Sequence, residues 1–214
     1  MYTKRKNSLT LPNELKEIFN SLHKIGARPI LVGGCVRDHF LEQPIKDYDV
    51  EVYDIKDFET LSKHLDQFGN VKLVGKSFGV LKLNTSHYEY DFALPRVEKK
   101  VSSGHKGFEV ITNSSLSFEE AAIRRDFTIN AIGYDFFKDE FLDPFGGLKD
   151  LEEKKLKHIN DKTFVEDPLR VYRAVQFCAR FELTLDCATL TLCQEITSRG
   201  ELEELPKTRV FDEF

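Results

Sequence analysis

Apolar residues recur at regular spacings through the first part of the chain. In residues 11–25 they return every three or four positions, which predicts an amphipathic helix that ends at Gly26. Residues 29–32 form a short apolar run typical of a buried strand, and residues 35–41 have helical spacing. In residues 48–53, Tyr48, Val50 and Val52 alternate with Asp49, Glu51 and Tyr53, and this period of two predicts a second strand.

The next region contains one helix and several strand candidates. Residues 58–68 predict a second amphipathic helix, and residues 71–74, 80–83 and 88–94 are closely spaced strand candidates. Because consecutive strands usually lie side by side, we expect these three to form an antiparallel meander. Residues 96–107 are polar and basic and contain glycine and serine, so we expect a mobile loop there.

Beyond residue 107 the pattern becomes mostly helical. We expect a hairpin at 134–136 and 141–142 and helices at 116–124, 128–132, 148–153, 168–181 and 186–197. The predicted class is α+β, with a first domain over residues 1–145 and a helical domain over residues 146–214. A further helical pattern begins at Pro206 and stops at Phe214 without a cap, which predicts a truncated chain.

The composition of the chain excludes several classes of protein. The chain has 214 residues, of which 41% are hydrophobic, and its net charge of -5 excludes a globally basic nucleic-acid coat. A polyanion partner would have to be held by a local basic patch or by a metal ion. No apolar run approaches the ~20 residues of a membrane span, and no apolar segment follows the basic N-terminus as in a secretion signal. The four cysteines show no metal-ligand spacing, so we expect reduced thiols in a cytoplasmic protein.

Three aspartates are candidate metal ligands. Asp47 and Asp49 are two residues apart on a predicted strand, so their carboxylates emerge from the same face. Two adjacent like charges repel unless a cation lies between them, and a few oxygen ligands suit Mg²⁺. Asp91 lies on another strand candidate that could be a neighbour, which would complete a two-metal centre. The alternative is a pair of solvated acids on an edge strand.

A second candidate site is the junction Gly33-Gly34, where a predicted strand runs into a helix. Backbone amides at such a junction can hold phosphate oxygens. Arg37 would lie one helical turn further on and could add a bidentate charge. A strand–helix–strand unit would bring this junction and the aspartates to the same end of a sheet.

These residues also resemble a known family. GGCVRDHFL and KDYDVEVY are similar to the signature of class II tRNA nucleotidyltransferases and poly(A) polymerases. Further segments follow in family order: YDFALPRVEKK, RRDFTINAIGYD, DPFGGLKDLEEKKLKHI, FVEDPLRVYRAVQFCARF and LPKTRVFDEF. The resemblance covers residues 28–214. It implies a polymerase-β-type nucleotidyltransferase head, with a mixed, largely antiparallel sheet and helices, followed by an all-helical neck. The implied activity is the addition of C and A residues to the tRNA 3′ end from CTP and ATP, with Mg²⁺ and release of pyrophosphate.

The resemblance also implies roles for the residues near the first strands. Asp47 and Asp49 would bind the metal ions, and Asp91 would be a third carboxylate that helps to deprotonate the primer 3′-hydroxyl. The implied nucleotide contacts in this region are Gly33, Gly34 and Arg37.

The segment RRDFTIN matches the ribose and phosphate motif of the family. Arg125 would neutralise triphosphate charge, while Asp126 and Asn130, four residues apart on a helical face, would bond to ribose hydroxyls. The alternative is a helix start with capping acids and surface arginines.

The segment EDPLR matches the element in which an aspartate and an arginine replace a template. Cytosine and adenine each present an amine donor beside a ring-nitrogen acceptor, so Asp167 could accept from the amine while Arg170 donates to the ring. Guanine and uracil reverse that order, so both pairings fail. The alternative is an N-capped helix with an Asp167–Arg170 salt bridge. Arg173 matches a further nucleotide contact.

Some positions depart from the family pattern. Gln176 stands where many members carry another arginine, and Glu42 and Asp54 stand where glycine is common. We expect the last two to be tolerated turn variations. The motifs fit an A-adding, a CC-adding or a poly(A) polymerase member equally well. A relic that only binds nucleotide or RNA remains the non-enzyme alternative.

Overall fold

The computed structural model describes residues 8–74, 79–100 and 108–213. The helices are α1 (Asn13–Lys24), α2 (Gly34–Phe40), α3 (Phe58–Leu65), α4 (Phe118–Ala122), α5 (Gly147–Glu152), α6 (Asp161–Phe164), α7 (Leu169–Phe181), α8 (Cys187–Ser198) and α9 (Lys207–Asp212). The strands are β1 (Arg28–Val32), β2 (Tyr48–Tyr53), β3 (Asn70–Val74), β4 (Val80–Asn84), β5 (Glu89–Ala93), β6 (Arg96–Lys100), β7 (Phe108–Thr112), β8 (Gly133–Asp135), β9 (Glu140–Leu142), β10 (Lys155–Leu156) and β11 (Thr184–Leu185).

Seven strands form one sheet in the order β3-β4-β5-β2-β1-β8-β9. Its neighbours pair antiparallel except β2 and β5, which are parallel. The predicted meander of β3, β4 and β5 is confirmed, as is the hairpin of β8 and β9. The sheet is therefore mixed and largely antiparallel, and the α+β class is confirmed.

The alternation along β2 decides which side chains reach each face of the sheet. Val50 and Val52 are buried in the main core, where the apolar stripe of α1 also packs. Tyr53 lies on the opposite face, in a smaller cluster that contains Phe118 of α4. Because Asp49 and Glu51 share the parity of Tyr53, their carboxylates point to this second face, where α4 ends.

The segment 96–107 differs from its prediction as a mobile loop. Residues 96–100 form β6, which pairs antiparallel with β7, and residues 101–107 lie outside the described part of the chain. The register places Val97 opposite Ile111. Val97 is the single apolar residue of β6, so the segment has no hydrophobic alternation that would predict a strand.

The C-terminal part is mostly helical, as expected, with one addition. The two-residue strands β10 and β11 pair in parallel and join the segment after α5 to the segment after α7. Helix α6 was also not predicted. Asn160 caps it by accepting hydrogen bonds from the backbone N–H groups of Lys162 and Thr163. Between residues 128 and 132, the predicted helix is a short 3₁₀ turn.

Two turns carry side chains in a conformation that favours glycine. Glu42 has a φ of 55° and Asp54 a φ of 57°, both in the left-handed region. These are the positions where the resembled family often carries glycine. The backbone therefore keeps the glycine-like shape and holds a larger residue in it.

No helix among the described residues is long and apolar enough to cross a membrane.

Candidate functional site

The junction between β1 and α2 forms one edge of a deep cleft. Gly33 has a φ of 71°, a conformation that L side chains rarely adopt. A Cβ added at Gly33 would lie 3.3 Å from Arg125 Nη1 and 3.7 Å from Asp49 Oδ2. Gly33 is therefore needed both for the turn and for the close approach of these two charged side chains.

The cleft has a volume of about 590 Å³ and brings most of the predicted site residues together. Its lining includes Gly33, Gly34, Arg37, Asp49, Arg125, Asp126, Asn130, Asp167, Arg170 and Arg173. Asp47 and Asp91 border two smaller adjoining cavities, and Asp49 borders both of these as well. Asp49 is thus the residue that the three cavities share.

The acids lie on two adjacent parallel strands. The β2–β5 register places Asp49 directly opposite Asp91, as the sequence suggested, and Asp47 precedes β2 by one residue. Protein atoms around Asp49 desolvate its carboxyl and raise its pKa, and Asp91 and Asp47 add to this, whereas Arg125 opposes it. The side chain still opens to the cleft. Desolvation likewise raises the pKa of Asp91.

The acids fit a divalent metal ion, although they do not form a complete ligand set. Within residues 8–74, 79–100 and 108–213, no group of three or more His, Cys, Asp and Glu side chains is arranged to hold a metal. Asp91 Oδ1 is buried without a hydrogen-bond partner, and its neighbour Lys82 Nζ lies 3.6 Å away. Mg²⁺ commonly takes one or two carboxylates and completes its shell with water and substrate phosphates. Asp47 and Asp49 suit that role, with Asp91 beside them.

Arg37 is buried rather than extended into the cleft. Its Nη1 donates to Asn130 Oδ1 at 2.7 Å, and its Nε donates to Asp38. Its guanidinium carbon lies 4.6 Å from the ring centroid of Phe181 and 5.3 Å from that of Phe177, both on α7. Arg37 therefore ties α2 to α7 and borders the cleft with part of its surface.

The buried residues Asp126 and Asn130 form a hydrogen-bonded network with the half-buried Arg173 on another wall of the cleft. Asn130 Nδ2 donates to Asp126 Oδ1 at 3.0 Å, and Arg173 Nε donates to Asp126 Oδ2 at 2.7 Å. Burial alone would raise the pKa of Asp126, but Arg173 and the hydrogen bond from Asn130 outweigh it and lower the pKa. Asp126 is thus a stably ionised acceptor at the place expected for sugar recognition.

Asp167 and Arg170 both line the cleft at the start of α7, without a salt bridge between them in the described structure. Arg170 Nη1 donates to the carbonyl of Thr163 at 2.7 Å, and Nη2 donates to that of Arg124 at 2.6 Å. Asp167 Oδ1 accepts from the backbone N–H of Leu169. The predicted alternative of an Asp167–Arg170 ion pair is wrong, because backbone groups orient each side chain separately.

Gln176, which stands where the resembled family often carries arginine, links two helices. Gln176 Nε2 donates to the backbone carbonyl of Glu213, and the Glu213 carboxylate lies 3.2 Å from Arg173 Nη1. These contacts attach the end of α9 to α7 beside the cleft. The side chain that replaces a common arginine therefore connects two helices.

Sequence reasoning missed Glu51 and Arg124. Glu51 is 2% exposed, and its Oε1 accepts from Arg124 Nη2 at 3.0 Å and from Arg125 Nη2 at 2.8 Å. Burial favours protonation of Glu51, but the two arginines outweigh it and lower the pKa. The signal was present, since the alternation that places Asp47 and Asp49 on one face continues to Glu51.

Comparison with curated proteins finds relatives of similar sequence. The chain is 42% identical over 187 residues to the "Multifunctional CCA protein" of Nitrosospira multiformis, covering 86% of this chain and 42% of that protein. It is 40% identical over 186 residues to the protein of the same name from Pseudoalteromonas atlantica, covering 86% and 44%. The chain therefore spans less than half the length of these relatives.

Solved structures share the fold. One described as "The complex structure of CCA-adding enzyme with CTP" superposes with a TM-score of 0.76 at 26% identity, covering 95% of this chain and 46% of that one. A second, "Crystal structure of tRNA nucleotidyltransferase complexed with a primer tRNA and an incoming ATP analog", has a TM-score of 0.74 at 29% identity, covering 92% and 54%.

A sequence model of the family described as "Poly A polymerase head domain" matches residues 30–157. This range contains the glycine junction, the three aspartates and the RRDFTIN segment, all of which meet around the cleft. The sheet order and the likeness to solved nucleotidyltransferases agree with it. The chain belongs to the poly A polymerase head-domain family of nucleotidyltransferases.

Proposed function

We propose that the protein adds C and A residues to the 3′ end of tRNA, using CTP and ATP with Mg²⁺ and releasing pyrophosphate in the cytoplasm. The observation that carries the proposal is the cleft, which Asp49, several arginines and the Asp167–Arg170 pair line together. Relatives named "Multifunctional CCA protein" support the added sequence, and solved neighbours described with CTP or with a primer tRNA and an ATP analog support the substrates.

The acids and the arginines would divide the work of phosphoryl transfer. Asp47 and Asp49 would hold Mg²⁺, whose charge would offset that of the triphosphate and the attacking oxygen. Asp91 lies opposite Asp49 in the strand register and would accept the proton of the primer 3′-hydroxyl. Arg125 Nη1 also lies close to Gly33 and would offset the charge on the phosphates.

The network around Asp126 would recognise the sugar. Asp126 is held ionised by Arg173, so it can accept a hydrogen bond from a ribose hydroxyl in addition to those it already receives. Asn130 lies beside it and is oriented by Arg37. Because the 2′-hydroxyl is what distinguishes RNA from DNA precursors, this wall would favour ribonucleotides.

Base choice would depend on Asp167 and Arg170. Backbone contacts orient both side chains before any nucleotide arrives, which lowers the entropic cost of recognition. Asp167 would accept from the exocyclic amine of C or A, and Arg170 would donate to the ring nitrogen. A guanine or uracil would leave buried polar groups unmatched.

We further propose that residues 1–145 form the catalytic head and residues 146–214 a helical neck. The family match to a head domain over residues 30–157 supports a head in the first part of the chain, although the matched range continues 12 residues past the proposed boundary. The neck supplies α7 and therefore the proposed base-selecting residues.

The decisive experiment uses the full-length protein and a tRNA that ends at the discriminator base. With CTP, ATP and Mg²⁺, sequencing of the products should show added CCA. Products that end in CC, in a single A on a CC-ended tRNA, or in a long A tract would replace the proposal by the corresponding family activity. Asp47→Ala and Asp49→Ala should each abolish incorporation while nucleotide binding partly survives. Full activity of Asp49→Ala would contradict the proposal.

A further inference from the structure

Glu51 is a buried carboxylate directly behind the acid that the three cavities share. It lies two residues beyond Asp49 on β2, so both side chains project from the same face of the sheet. Only 2% of Glu51 is exposed, and its oxygens accept from three side-chain donors: Tyr53, Arg124 and Arg125. Glu51 does not line the cleft, but it borders the adjoining cavity that Asp49 and Asp91 share and is bonded there to both arginines.

Arg125 has two acidic neighbours and is bonded to one of them. Its Nη2 donates to Glu51 at 2.8 Å, while its Nη1 and Asp49 Oδ2 lie 3.3 Å and 3.7 Å from the position that a Cβ on Gly33 would occupy. Asp49 also attracts this guanidinium electrostatically. Without the bond to Glu51, Arg125 would still be attracted by Asp49, and an ion pair between them would occupy a carboxylate that the proposed metal site uses.

We propose that Glu51 is a positioning residue that holds the guanidinium of Arg125 away from Asp49 and so keeps Asp49 available to a divalent metal ion. The inference rests on the proposed function only in taking Asp49 as a metal ligand. It is analogous to the orienting partners of metal ligands in other sites, whose loss weakens metal binding without touching the metal.

The sheet offers a matched control. Asp135 on β8 is also a buried carboxylate, 1% exposed, and its Oδ2 accepts from Arg28 Nε at 2.9 Å. It does not border the described cleft or the cavities that contain Asp49. Asp135→Asn therefore removes a similar buried charge pair from the same sheet without altering the surroundings of Asp49.

The experiment measures Mn²⁺ binding by calorimetry and does not depend on catalysis. We expect Glu51→Gln to raise the Kd for Mn²⁺ about 10-fold, by analogy with other outer-shell partners of metal sites. Asp135→Asn should leave this Kd unchanged. Adding Arg125→Met to Glu51→Gln should restore most of the lost affinity, because the competing cation is then gone.

The restoration separates positioning from a general structural defect, which a second mutation would only worsen. An unchanged Kd in folded Glu51→Gln, or no recovery in the double variant, would overturn the inference. If Glu51→Gln does not fold, Tyr53→Phe loosens the Glu51 carboxylate while retaining its charge, and it should raise the Kd by a smaller factor. An unchanged Kd in Tyr53→Phe would then overturn the inference.

A wild-type protein that binds no Mn²⁺ would overturn both the inference and the proposed metal-dependent reaction. Binding that Glu51→Gln leaves intact would overturn the inference alone.

Discussion

Two walls of the cleft differ in how their charges are balanced. The first, the acidic strand pair, consists of Asp49, which lines the cleft, with Asp47 and Asp91, which border the two adjoining cavities. The second, the arginine network, consists of Arg37, Asp126, Asn130 and Arg173. In the acidic strand pair, neighbouring acids and desolvation raise the pKa of Asp49, and Asp91 has a buried oxygen without a hydrogen bond. In the arginine network, Asp126 has a lowered pKa and three donors.

This difference in charge balance distinguishes a wall that a bound cation would stabilise from a wall whose charges are already paired. The raised pKa of Asp49 means that its ionised form is destabilised in the fold, a condition typical of residues retained for binding or chemistry. The arginine network is complete without a ligand and stabilises the contact between α2, the 124–130 segment and α7. The acidic strand pair thus lowers stability, as the proposed metal site would require, whereas the arginine network contributes to stability while shaping the cleft.

The largest predicted effect would separate activity from stability in the acidic strand pair. Asp49→Asn should reduce nucleotide incorporation by about 1,000-fold or more, because a charge that stabilises the transition state through the metal is lost. The same change should raise the Tm, since it removes like-charge repulsion with Asp47 and Asp91. Primer extension and calorimetric melting measure the two quantities. A variant that loses both activity and stability would remove the distinction between the walls.

The arginine network should respond in the opposite way. Arg173→Met leaves the buried Asp126 carboxylate without its closest cation, so we expect the free energy of unfolding to fall by about 2 kcal/mol. This estimate is lower than for a fully buried pair because Arg173 is partly exposed. Urea denaturation at pH 7 measures the change. Arg199→Met, which breaks an exposed pair with Glu195 on α8, is the control and should change stability far less.

The pH dependence of stability sharpens the same comparison. Asp126 has a lowered folded-state pKa, so its stabilising effect is present above its unfolded pKa of about 3.9 and is lost as pH falls through the folded pKa. Asp49 has a raised folded-state pKa, so it costs stability as pH rises from about 3.9 through the folded pKa. Asp126→Asn should therefore weaken the pH dependence of the free energy of unfolding below about pH 3.9. Asp49→Asn should weaken that dependence above about pH 3.9. Urea titrations at a series of pH values measure both slopes. Identical curves for the two variants would contradict the assignment.

The smallest effect should come from a residue in neither wall. Glu42 holds a left-handed backbone that glycine adopts without strain. Glu42→Gly should therefore raise the free energy of unfolding by about 0.5–1 kcal/mol, with nucleotide binding unchanged. Thermal melting and nucleotide titration test this. A loss of stability would show that the Glu42 side chain makes contacts that outweigh the backbone strain.

Much of the fold follows from local patterns in the sequence. The apolar stripe of α1, the alternation in β2 and the meander after α3 each depend on side chains close in sequence, and all are present. The β6–β7 hairpin was not predicted because β6 has one apolar residue among charged ones, so its strand conformation depends on pairing with β7. The β10–β11 pair is too short to leave any periodic signal.

The site was only partly predictable for a related reason. The motifs identify Asp49, Arg125 and Asp167 as candidates, and the structure places all three around one cleft. The motifs do not predict which group each charged side chain contacts. Arg170 donates to carbonyls instead of to Asp167, and Arg37 is bonded to Asn130, 93 residues away.

The sequence by itself determined the class of fold, the order of its main elements and the residue types available for metal and phosphate chemistry. It could do so because periodicity and short motifs reflect interactions between near neighbours along the chain. Only the tertiary structure decided which charges are balanced: Asp126 by Arg173, Glu51 by two arginines, and Asp49 by none as closely. Such pairings depend on the distances and desolvation created when α7 and the 124–130 segment pack beside the sheet, which local sequence does not encode.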